Sequence, residues 1–515
     1  MASFQTGGLL KSWFSPEKLE PQAKQGIQYE TYKESPNFSK PNGSSTAEDE
    51  IESPFASKRQ PLAPHVSKFY RTQSVIDRRI HVMGLGNVGR FLAHSLRGIP
   101  NPPPVTLIFH RWDQLNEWNN SAKKLQVVTE GNAERREGFD AELAFLHHRF
   151  HGKEIQHQNS SSGDPFPGGE SGSSSAGPAS ISEGESAEPI NSLILATKTP
   201  AVLQALSAVK HRLHKESVIL FLQNGMGTVE EVNREIFPDP ETRPHYMLGI
   251  NSHGLRVNGN VPFTTVHAGF GTIALGILPN ERNRRSAPYT PTSKFSAKSK
   301  EPVTPVRPAI PDLDTPAAEA THFKWTPNHR YLLRTLLRAP VLCATAFSPP
   351  DLLQLQLEKL AVNCIINPLT VMLDARNGAI LYNYALTRSM RLLLSEISLV
   401  IRSLPELQYI PNVQQRFDPG RLETMVVGVA NKTKDNISSM LSDVRGGRQT
   451  EIEYINGWIV KKGEEQGVRC LMNYMMVNLV KGKRNMIQLE IGEGVPFVGA
   501  EAGEGGIQIK GENST

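Results

Sequence analysis

The sequence predicts an α/β domain with a doubly wound parallel sheet, followed by a domain made of helices. Short apolar runs alternate with helical patterns in the first part of the chain, as they do in α/β proteins. A glycine-rich loop stands between one such run and the helix after it. The later part has long helical patterns and few strand signals. We therefore predict the first domain over residues 77–348 and the helical domain over residues 349–482.

Four apolar runs in the first domain predict buried parallel strands, because each is four or five residues long and rich in Ile, Val, Leu or Phe. These runs are Ile80–Met83, Val105–Phe109, Ser192–Ala196 and Val218–Leu222. Helical spacing over Phe91–Leu96 and Ala201–Leu213 places helices between them. In the second domain the clearest helical patterns cover Leu352–Met372 and Arg388–Leu404.

Four segments have compositions that predict no packed core. Residues 1–76 are polar and rich in Ser, Pro, Lys and Glu, so we expect a disordered extension. Residues 151–190 form a flexible insertion, since Ser, Gly and Pro dominate them. Residues 282–324 are basic at first and then rich in Pro, Ser and Thr, which predicts a second insertion. Beyond residue 482 helical periodicity fades, and we expect a flexible tail over 483–515.

Composition excludes several classes of protein. Three cysteines cannot build a disulfide scaffold, and none has the spacing of a metal ligand, so a reducing compartment is the default and no metal is expected. Because 56 basic residues nearly balance 51 acidic ones, nucleic acid is not an expected partner. No apolar run of about 18 residues exists to span a membrane. We expect a cytoplasmic protein. A mitochondrial address is the alternative, although the extension has no Arg before Arg59.

The glycine-rich loop predicts a dinucleotide site. Gly84-Leu85-Gly86-Asn87-Val88-Gly89 follows the strand Ile80–Met83 and precedes a helix. In such a loop the first glycine permits a tight turn, the second admits a pyrophosphate, and the third lets helix and strand pack closely. The helix N-terminus offers free N–H groups to the phosphates.

The end of the second strand indicates which dinucleotide is bound. A protein selective for NAD usually places Asp or Glu there to hold the ribose 2′-hydroxyl. Here the strand ends in His110-Arg111-Trp112, and a guanidinium would bind a 2′-phosphate. The pattern therefore favours NADP. In the alternative interpretation Arg111 is a solvated loop charge and Asp113 contacts the ribose.

Two further motifs place polar side chains where ligands bind. Asn224 follows the strand Val218–Leu222, at the carboxyl end where such sheets hold ligands, and Lys198 follows the preceding strand. Lys359, Asn363 and Asn367 are four residues apart, so they share one helix face that suits a small polar anion. Taken alone, Asn224 could be part of a turn, Lys198 could be inert, and the helix face could be an exposed surface.

Taken together these motifs resemble the ketopantoate reductase (2-dehydropantoate 2-reductase) family. The resemblance covers about residues 77–482 apart from the two insertions, which depart from the compact family pattern. It implies a Rossmann domain followed by an all-α domain like the C-terminal domain of 6-phosphogluconate dehydrogenase, with the active site between them. The matching segments, in the family's order, are GLGNVG (84–89), Lys198, LQNGMGTVEEV (222–232), GINSHG (249–254), KLAVNCIINPLT (359–370), RNG (376–378) and SSMLSDVRGGRQTEIEYINGWIV (438–460).

The resemblance also implies roles for individual residues. Lys359 is the expected general acid, and Asn224 lies where cofactor and substrate meet. Glu451 helps to anchor the ligands, while Lys198 and the backbone of Leu255 lie beside the cofactor. The expected contacts of pantoate or ketopantoate further include Asn363, Asn367, Asn377 and Ser439.

The implied reaction is the NADPH-dependent reduction of 2-dehydropantoate to (R)-pantoate, on the route to pantothenate and coenzyme A. The expected protein is a monomer or homodimer that takes a small-molecule substrate. One alternative is a reductase of the same fold that acts on another 2-oxo acid. The other is a non-catalytic binding or regulatory protein, which the long insertions would suit.

Overall fold

The computed structural model describes residues 77–145, 148–150, 153–155, 185–259, 261–280, 282 and 325–492. The predicted extension over residues 1–76 lies outside the described residues. So do most of the two predicted insertions and the end of the predicted tail, from residue 493 onward.

The first domain is built on an eight-stranded sheet with the order β14-β13-β10-β9-β8-β1-β2-β5. The six strands from β10 to β5 run parallel, and β13 and β14 run in the opposite direction. This central order, with β1 in the middle, is that of a doubly wound dinucleotide-binding sheet and confirms the predicted fold class. Its strands are β1 (Ile80–Met83), β2 (Val105–Phe109), β5 (Phe139–Leu143), β8 (Ile190–Leu195), β9 (Leu213–Phe221), β10 (His245–Asn251), β13 (Ile273–Ile277) and β14 (Ala344–Ala346).

A second sheet of four strands, in the order β11-β12-β3-β4, lies outside the predicted elements. The sequence signal is weak because these strands are partly solvent-exposed; β4, for example, reads NAERR and is exposed along most of its length. A two-stranded hairpin, β6 with β7, completes the described strands. The bounds are β3 (Leu125–Thr129), β4 (Asn132–Arg136), β6 (His148–Phe150), β7 (Lys153–Ile155), β11 (Gly254–Val257) and β12 (Thr264–Gly269).

Among the described residues, five helices belong to the first domain, and the second domain is helical, as predicted. In the first domain they are α1 (Asn87–Arg97), α2 (Trp112–Asn120), α3 (Val202–Val209), α4 (Thr228–Glu235) and α5 (Pro327–Leu337). In the second they are α6 (Pro349–Leu373), α7 (Tyr384–Arg402), α8 (Val413–Arg416), α9 (Pro419–Lys432), α10 (Ser439–Arg445), α11 (Asn456–Glu465) and α12 (Leu471–Gly492).

Side chains of the central strands alternate between two hydrophobic clusters. Leu193 and Leu195 of β8 belong to the cluster that contains α3, and Ile194 between them belongs to the cluster that contains α1 and α5. All three are fully buried. Burying such a side chain contributes about 1.5–3 kcal/mol, so helices on both faces hold the sheet in place.

The long helix α6 joins the helical domain to the sheet. Its Leu352 packs with Ile250 of β10 and Ala274 of β13. Gly276 makes the close approach possible, because a Cβ there would lie 2.6 Å from Leu352 Cδ2. Two helical turns beyond Leu352, the same helix carries Lys359 past the carboxyl end of β10.

Several predicted boundaries differ from the structure. The predicted helix Ala201–Leu213 is shorter: α3 ends at Val209, a 3₁₀ turn follows, and Leu213 already begins β9. The second insertion was predicted to begin at Arg282, yet the Arg282 guanidinium donates to three backbone carbonyls of the first domain. The predicted start of the tail at Lys483 is also too early, because α12 continues to Gly492. Between residues 483 and 492, Ile487 alone belongs to the hydrophobic cluster of the helical domain. With one buried apolar residue in this stretch, the sequence shows little helical periodicity there.

The first insertion was predicted over residues 151–190, but its last residues belong to the domain. Ile190 is fully buried, and the Glu188 carbonyl accepts a hydrogen bond from Arg212 Nε at 2.8 Å. The Phe145 N–H donates to Glu185 Oε1 at 3.2 Å, and Leu143 pairs with Glu185. The described ends of the insertion, Phe145 and Glu185, therefore lie side by side.

We expect a short Gly/Ser linker in place of residues 146–184 to leave folding and activity intact. Its ends already meet, and each doubling of loop length changes the free energy of unfolding by only about 0.6 kcal/mol. The same linker in place of residues 151–190 should reduce soluble yield, because it removes Ile190 from the sheet. Melting temperature and soluble yield of the two variants test this difference. Insoluble protein from the first variant would contradict the prediction.

Candidate active site

A cleft of about 1470 Å³ lies between the sheet and the helical domain. The glycine loop and the carboxyl ends of β1, β8, β9 and β10 form one wall, and α6, α9 and α10 contribute to the other. Of the predicted site residues, the cleft is lined by Gly84, Leu85, Gly86, Asn87, Val88, Lys198, Asn224, Leu255, Lys359, Asn363, Ser439 and Glu451.

The glycine loop has the shape of a phosphate cradle. A Cβ on Gly84, whose φ is +94°, would lie 2.3 Å from the backbone nitrogen of Thr197. A Cβ on Gly89 would lie 2.1 Å from the Gly84 carbonyl oxygen, so this glycine lets α1 approach the strand. A Cβ on Gly86 would meet nothing within 4 Å, so the loop is open on the cleft side. The N-terminus of α1 faces this opening, and a pyrophosphate fits it.

Lys359 is held at the junction of the two domains. Its Nζ donates to the backbone carbonyl of Asn251, at the end of β10, at 2.8 Å. Burial lowers the pKa of Lys359 from 10.5 to about 8, while the negative charge of Glu451 acts in the opposite direction. At neutral pH the amine is still mostly protonated, and it gives up its proton more easily than an exposed lysine does.

The three residues of the predicted helix face reach different surroundings. Asn363 lies one turn beyond Lys359, lines the cleft, and makes no side-chain hydrogen bond to any described residue. Asn367, one turn further, is buried and does not line the cleft. The helix thus brings Lys359 and Asn363 together at the cleft, and Asn367 stays behind them.

Asn377 and Ser439 are also placed differently from each other. Asn377 is buried beneath the cleft wall, where its amide donates to Thr433 Oγ1 at 2.9 Å and its N–H donates to the Asn436 carbonyl at 3.0 Å. Ser439 is exposed in the cleft at the first position of α10. Ser438 caps that helix by accepting from the Leu441 N–H. In this arrangement Asn377 shapes the wall and Ser439 faces the ligand space.

The buried carboxylate of Glu451 connects both domains. Its Oε1 accepts from the Thr199 N–H at 3.2 Å and from the Thr199 hydroxyl at 2.9 Å. Its Oε2 accepts from the Asn224 amide at 2.9 Å. The Thr199 hydroxyl is also 3.0 Å from the Asn224 carbonyl oxygen. Glu451 therefore fixes the loops after β8 and β9 beside Lys359.

An ion pair of Lys198 also connects the two domains. Its Nζ lies 2.8 Å from Oδ2 of Asp443, a buried carboxylate on α10. The other oxygen of Asp443 is 3.2 Å from Nε of Arg448, which also lines the cleft. Asp443 thus holds two cations, one from each domain, at the edge of the ligand space.

The far end of the cleft lies next to the end of β2. Arg111 is exposed and forms an ion pair with Asp113 at 2.7 Å, and neither residue lines the cleft. Instead, His110, Glu117 and Arg90 do so at this end.

The chain matches known proteins across both domains. Residues 80–280 match the family model "Ketopantoate reductase PanE/ApbA", and residues 351–484 match "Ketopantoate reductase PanE/ApbA C terminal". A probable 2-dehydropantoate 2-reductase of Schizosaccharomyces pombe is 30% identical over 298 residues, which are 58% of this chain and 75% of that protein. The chain belongs to the ketopantoate reductase family.

Other members of the family differ in their named substrate. The ketoisovalerate reductase BEA2 of Gibberella fujikuroi is 25% identical over 418 residues, 75% of this chain and 78% of that protein. Among solved structures, a PanE/ApbA family ketopantoate reductase from Ralstonia eutropha JMP134 covers 80% of this chain and 99% of its own, at 16% identity and a TM-score of 0.51. The protein is accordingly an oxidoreductase with the Rossmann and all-α domains of this family.

Sequence patterns did not point to several residues of this ketopantoate reductase site. Thr199 contacts Glu451 but belongs to no local motif, so only the tertiary contact reveals it. Asp443 stands within the matching segment 438–460, but its pairing with Lys198 is visible only in the structure. Asn251 could have been found, because it stands at the end of a strand within the matching GINSHG segment. Arg90 directly follows the third glycine of the loop, which was a usable signal.

The described residues hold no cluster of His, Cys, Asp or Glu that could bind a metal ion. None of the described helices is both long enough and apolar enough to cross a membrane.

Proposed function

We propose that this protein reduces 2-dehydropantoate to (R)-pantoate with NADPH. One observation carries the proposal: Lys359, with a pKa lowered to about 8, lines the same cleft as an open glycine-rich phosphate cradle. A proton donor and a dinucleotide site in one cleft are the two parts that reduction of a ketone requires.

Different residues of the chain would bind the cofactor and transfer the proton. The loop Gly84–Gly89 would hold the pyrophosphate, and Asn224, fixed by Glu451, would meet the nicotinamide end. The bound dihydronicotinamide supplies hydride to the ketone carbon, so that negative charge grows on the ketone oxygen. Lys359 Nζ stabilises that charge and gives its proton to the oxygen. The neutral amine of Lys359 then takes up a proton from solvent after product leaves, which restores the ammonium.

A free amide in the cleft favours a hydroxyl-bearing substrate. 2-Dehydropantoate has a 4-hydroxyl group that 2-ketoisovalerate lacks. Asn363 has no partner for its amide among the described residues, and a substrate hydroxyl would supply one. A polar site rejects an analogue without the matching group because its own polar atoms then lose a partner. 2-Ketoisovalerate is the second candidate, since the match to a ketoisovalerate reductase covers more of the chain.

Oxidation of NADPH, followed by its absorbance, tests the proposal with 2-dehydropantoate, 2-ketoisovalerate and a panel of other 2-oxo acids. We expect the highest kcat/KM with 2-dehydropantoate. A higher kcat/KM with 2-ketoisovalerate would mean that the protein catalyses the proposed type of reduction but that 2-ketoisovalerate is its substrate. No turnover with any 2-oxo acid would support the non-catalytic alternative.

We expect Arg111→Ala to raise KM for NADPH and to leave KM for NADH nearly unchanged. The ion pair of Arg111 with Asp113 is exposed, and such pairs contribute only about 0–1 kcal/mol, so the guanidinium is free to turn to a 2′-phosphate. Steady-state kinetics with both cofactors measure the effect. An equal loss with NADPH and NADH would show that Arg111 does not contact the 2′-phosphate.

A further inference from the structure

Arg90 is a cation in the cleft that forms no ion pair with any described carboxylate. It lies on α1 directly after Gly89 and is half-buried. Its Nε is buried and has no hydrogen-bond partner among the described residues, and its Nη1 makes one long bond of 3.3 Å to the Thr264 carbonyl. Burial lowers the pKa of Arg90, which means that the surroundings disfavour the charge. A buried cation without a counter-ion is costly, and a bound anion would offset that cost.

The surroundings of Arg90 place it at the adenosine end of the cleft. Its guanidinium carbon lies 5.8 Å from the centre of the Phe263 ring, and that contact holds the side chain in place. His110, which directly follows β2, and Glu117 on α2 line the same part of the cleft. In doubly wound sheets the residue at the end of the second strand marks the position of the ribose 2′ substituent.

The two arginines near this position differ in one decisive respect. Arg111 does not line the cleft and is paired with Asp113, whereas Arg90 lines the cleft and forms no ion pair with a described residue. The charge of Glu117 raises the pKa of Arg90, but no ion pair forms between them. A 2′-phosphate carries negative charge and several acceptor oxygens, which is what the free donors of a guanidinium require.

We infer that Arg90 binds the 2′-phosphate of the cofactor and is the main residue by which this chain selects NADPH. The inference rests on the proposed NADPH dependence. It adds Arg90 to Arg111 as a contact of the 2′-phosphate and gives Arg90 the larger contribution. The opposing possibility is a preference for NADH. In that case the carboxylate of Glu117 would hold the ribose 2′-hydroxyl of NADH.

The test is binding of two small nucleotides to the full-length protein by calorimetry: adenosine 2′,5′-bisphosphate and adenosine 5′-monophosphate, which differ only in the 2′-phosphate. Wild-type protein should bind the bisphosphate at least about tenfold more tightly, as expected for a charge-assisted hydrogen bond. Arg90→Met keeps an apolar stem over Phe263 and removes the charge, and it should remove most of that preference, leaving only what Arg111 contributes, while binding the monophosphate normally. Arg330→Met, an exposed site on α5 outside the cleft, should change neither affinity.

Each other outcome has a definite meaning. If the wild type prefers the bisphosphate and Arg90→Met keeps that preference, the inference about Arg90 is wrong while NADPH dependence stands. If the wild type shows no preference, the NADPH dependence and the role of Arg90 fail together, and Glu117→Gln should then weaken binding of NADH. If Arg90→Met fails to fold, Arg90→Lys decides, because a lysine lacks the planar fork and should lose part of the preference. An unchanged preference in that variant also overturns the inference.

Discussion

Lys359→Ala is expected to lower kcat with 2-dehydropantoate by at least about 100-fold, since a general acid contributes roughly 10²–10⁴-fold. Lys359 is placed for this role by α6, which packs on the sheet through Leu352 and brings the amine to the carboxyl end of β10. Rapid-mixing or steady-state measurements at saturating NADPH give kcat directly. Near wild-type kcat in this variant would remove Lys359 from the mechanism.

The pH dependence of kcat gives a second test of Lys359. A proton donor must be protonated, and burial lowers the pKa of Lys359 to about 8. Activity should therefore be high below pH 8 and fall as the pH rises through the pKa of the amine in the complex. A lysine with its ordinary pKa of 10.5 would keep its activity well above pH 9. A flat profile to that pH would contradict the lowered pKa of Lys359 in the complex, and the Lys359→Ala variant would then decide its role.

Asn363→Ala is the matched control for Lys359→Ala, because both side chains lie on the same helix face one turn apart. It would remove the proposed hydrogen bond to the substrate, worth about 0.5–1.5 kcal/mol, and leave the proton donor in place. We expect a higher KM with little change in kcat. Equal effects of the two substitutions on kcat would indicate damage to α6 instead of separate roles.

Glu451→Ala is expected to lower kcat/KM by about 100-fold or more. Its carboxylate is the common acceptor for Thr199 and the Asn224 amide, so the substitution frees both loops and leaves buried donors unpaired. Hydrogen bonds to a charged group are worth at least about 1.5 kcal/mol each, so losing even two of the three that Glu451 accepts corresponds to about 3 kcal/mol or about 100-fold. Melting temperature measured alongside kcat/KM separates the loss of stability from the loss of transition-state binding.

Glu451→Gln separates the charge of this residue from its size. The negative charge of Glu451 raises the pKa of Lys359, so its removal should lower that pKa further below 8. The falling limb of the kcat profile should then move to lower pH. Glu453→Gln is the control, because this exposed neighbour pairs with Lys481 and does not line the cleft. An unmoved limb in Glu451→Gln would mean that the two groups do not interact in the complex.

The sequence alone was enough to predict elements that depend on local patterns. The apolar run of β1, the glycine loop and the first turn of α1 are consecutive in the chain, and their spacing alone predicts a dinucleotide-binding turn. The spacing of Lys359 and Asn363 likewise predicts that they share a helix face. Strands such as β4 escaped prediction because their side chains are exposed and polar, and hydrogen bonds to a neighbouring strand are what define them.

Only the tertiary structure decided which of these residues meet and which face the cleft. Glu451 and Thr199 are 252 residues apart, and no periodicity relates segments at that distance. The sequence favoured Arg111 as the cation near the cofactor, yet Arg111 is paired at the surface with Asp113. Arg90 lies in the cleft instead, because α1 and Phe263 direct it there. The pKa of Lys359 also depends on the fold, since burial between two domains lowers it. Local spacing in the sequence determines on which face of a helix or strand a side chain lies. The packing of distant segments determines whether that face borders the cleft, the core or the solvent.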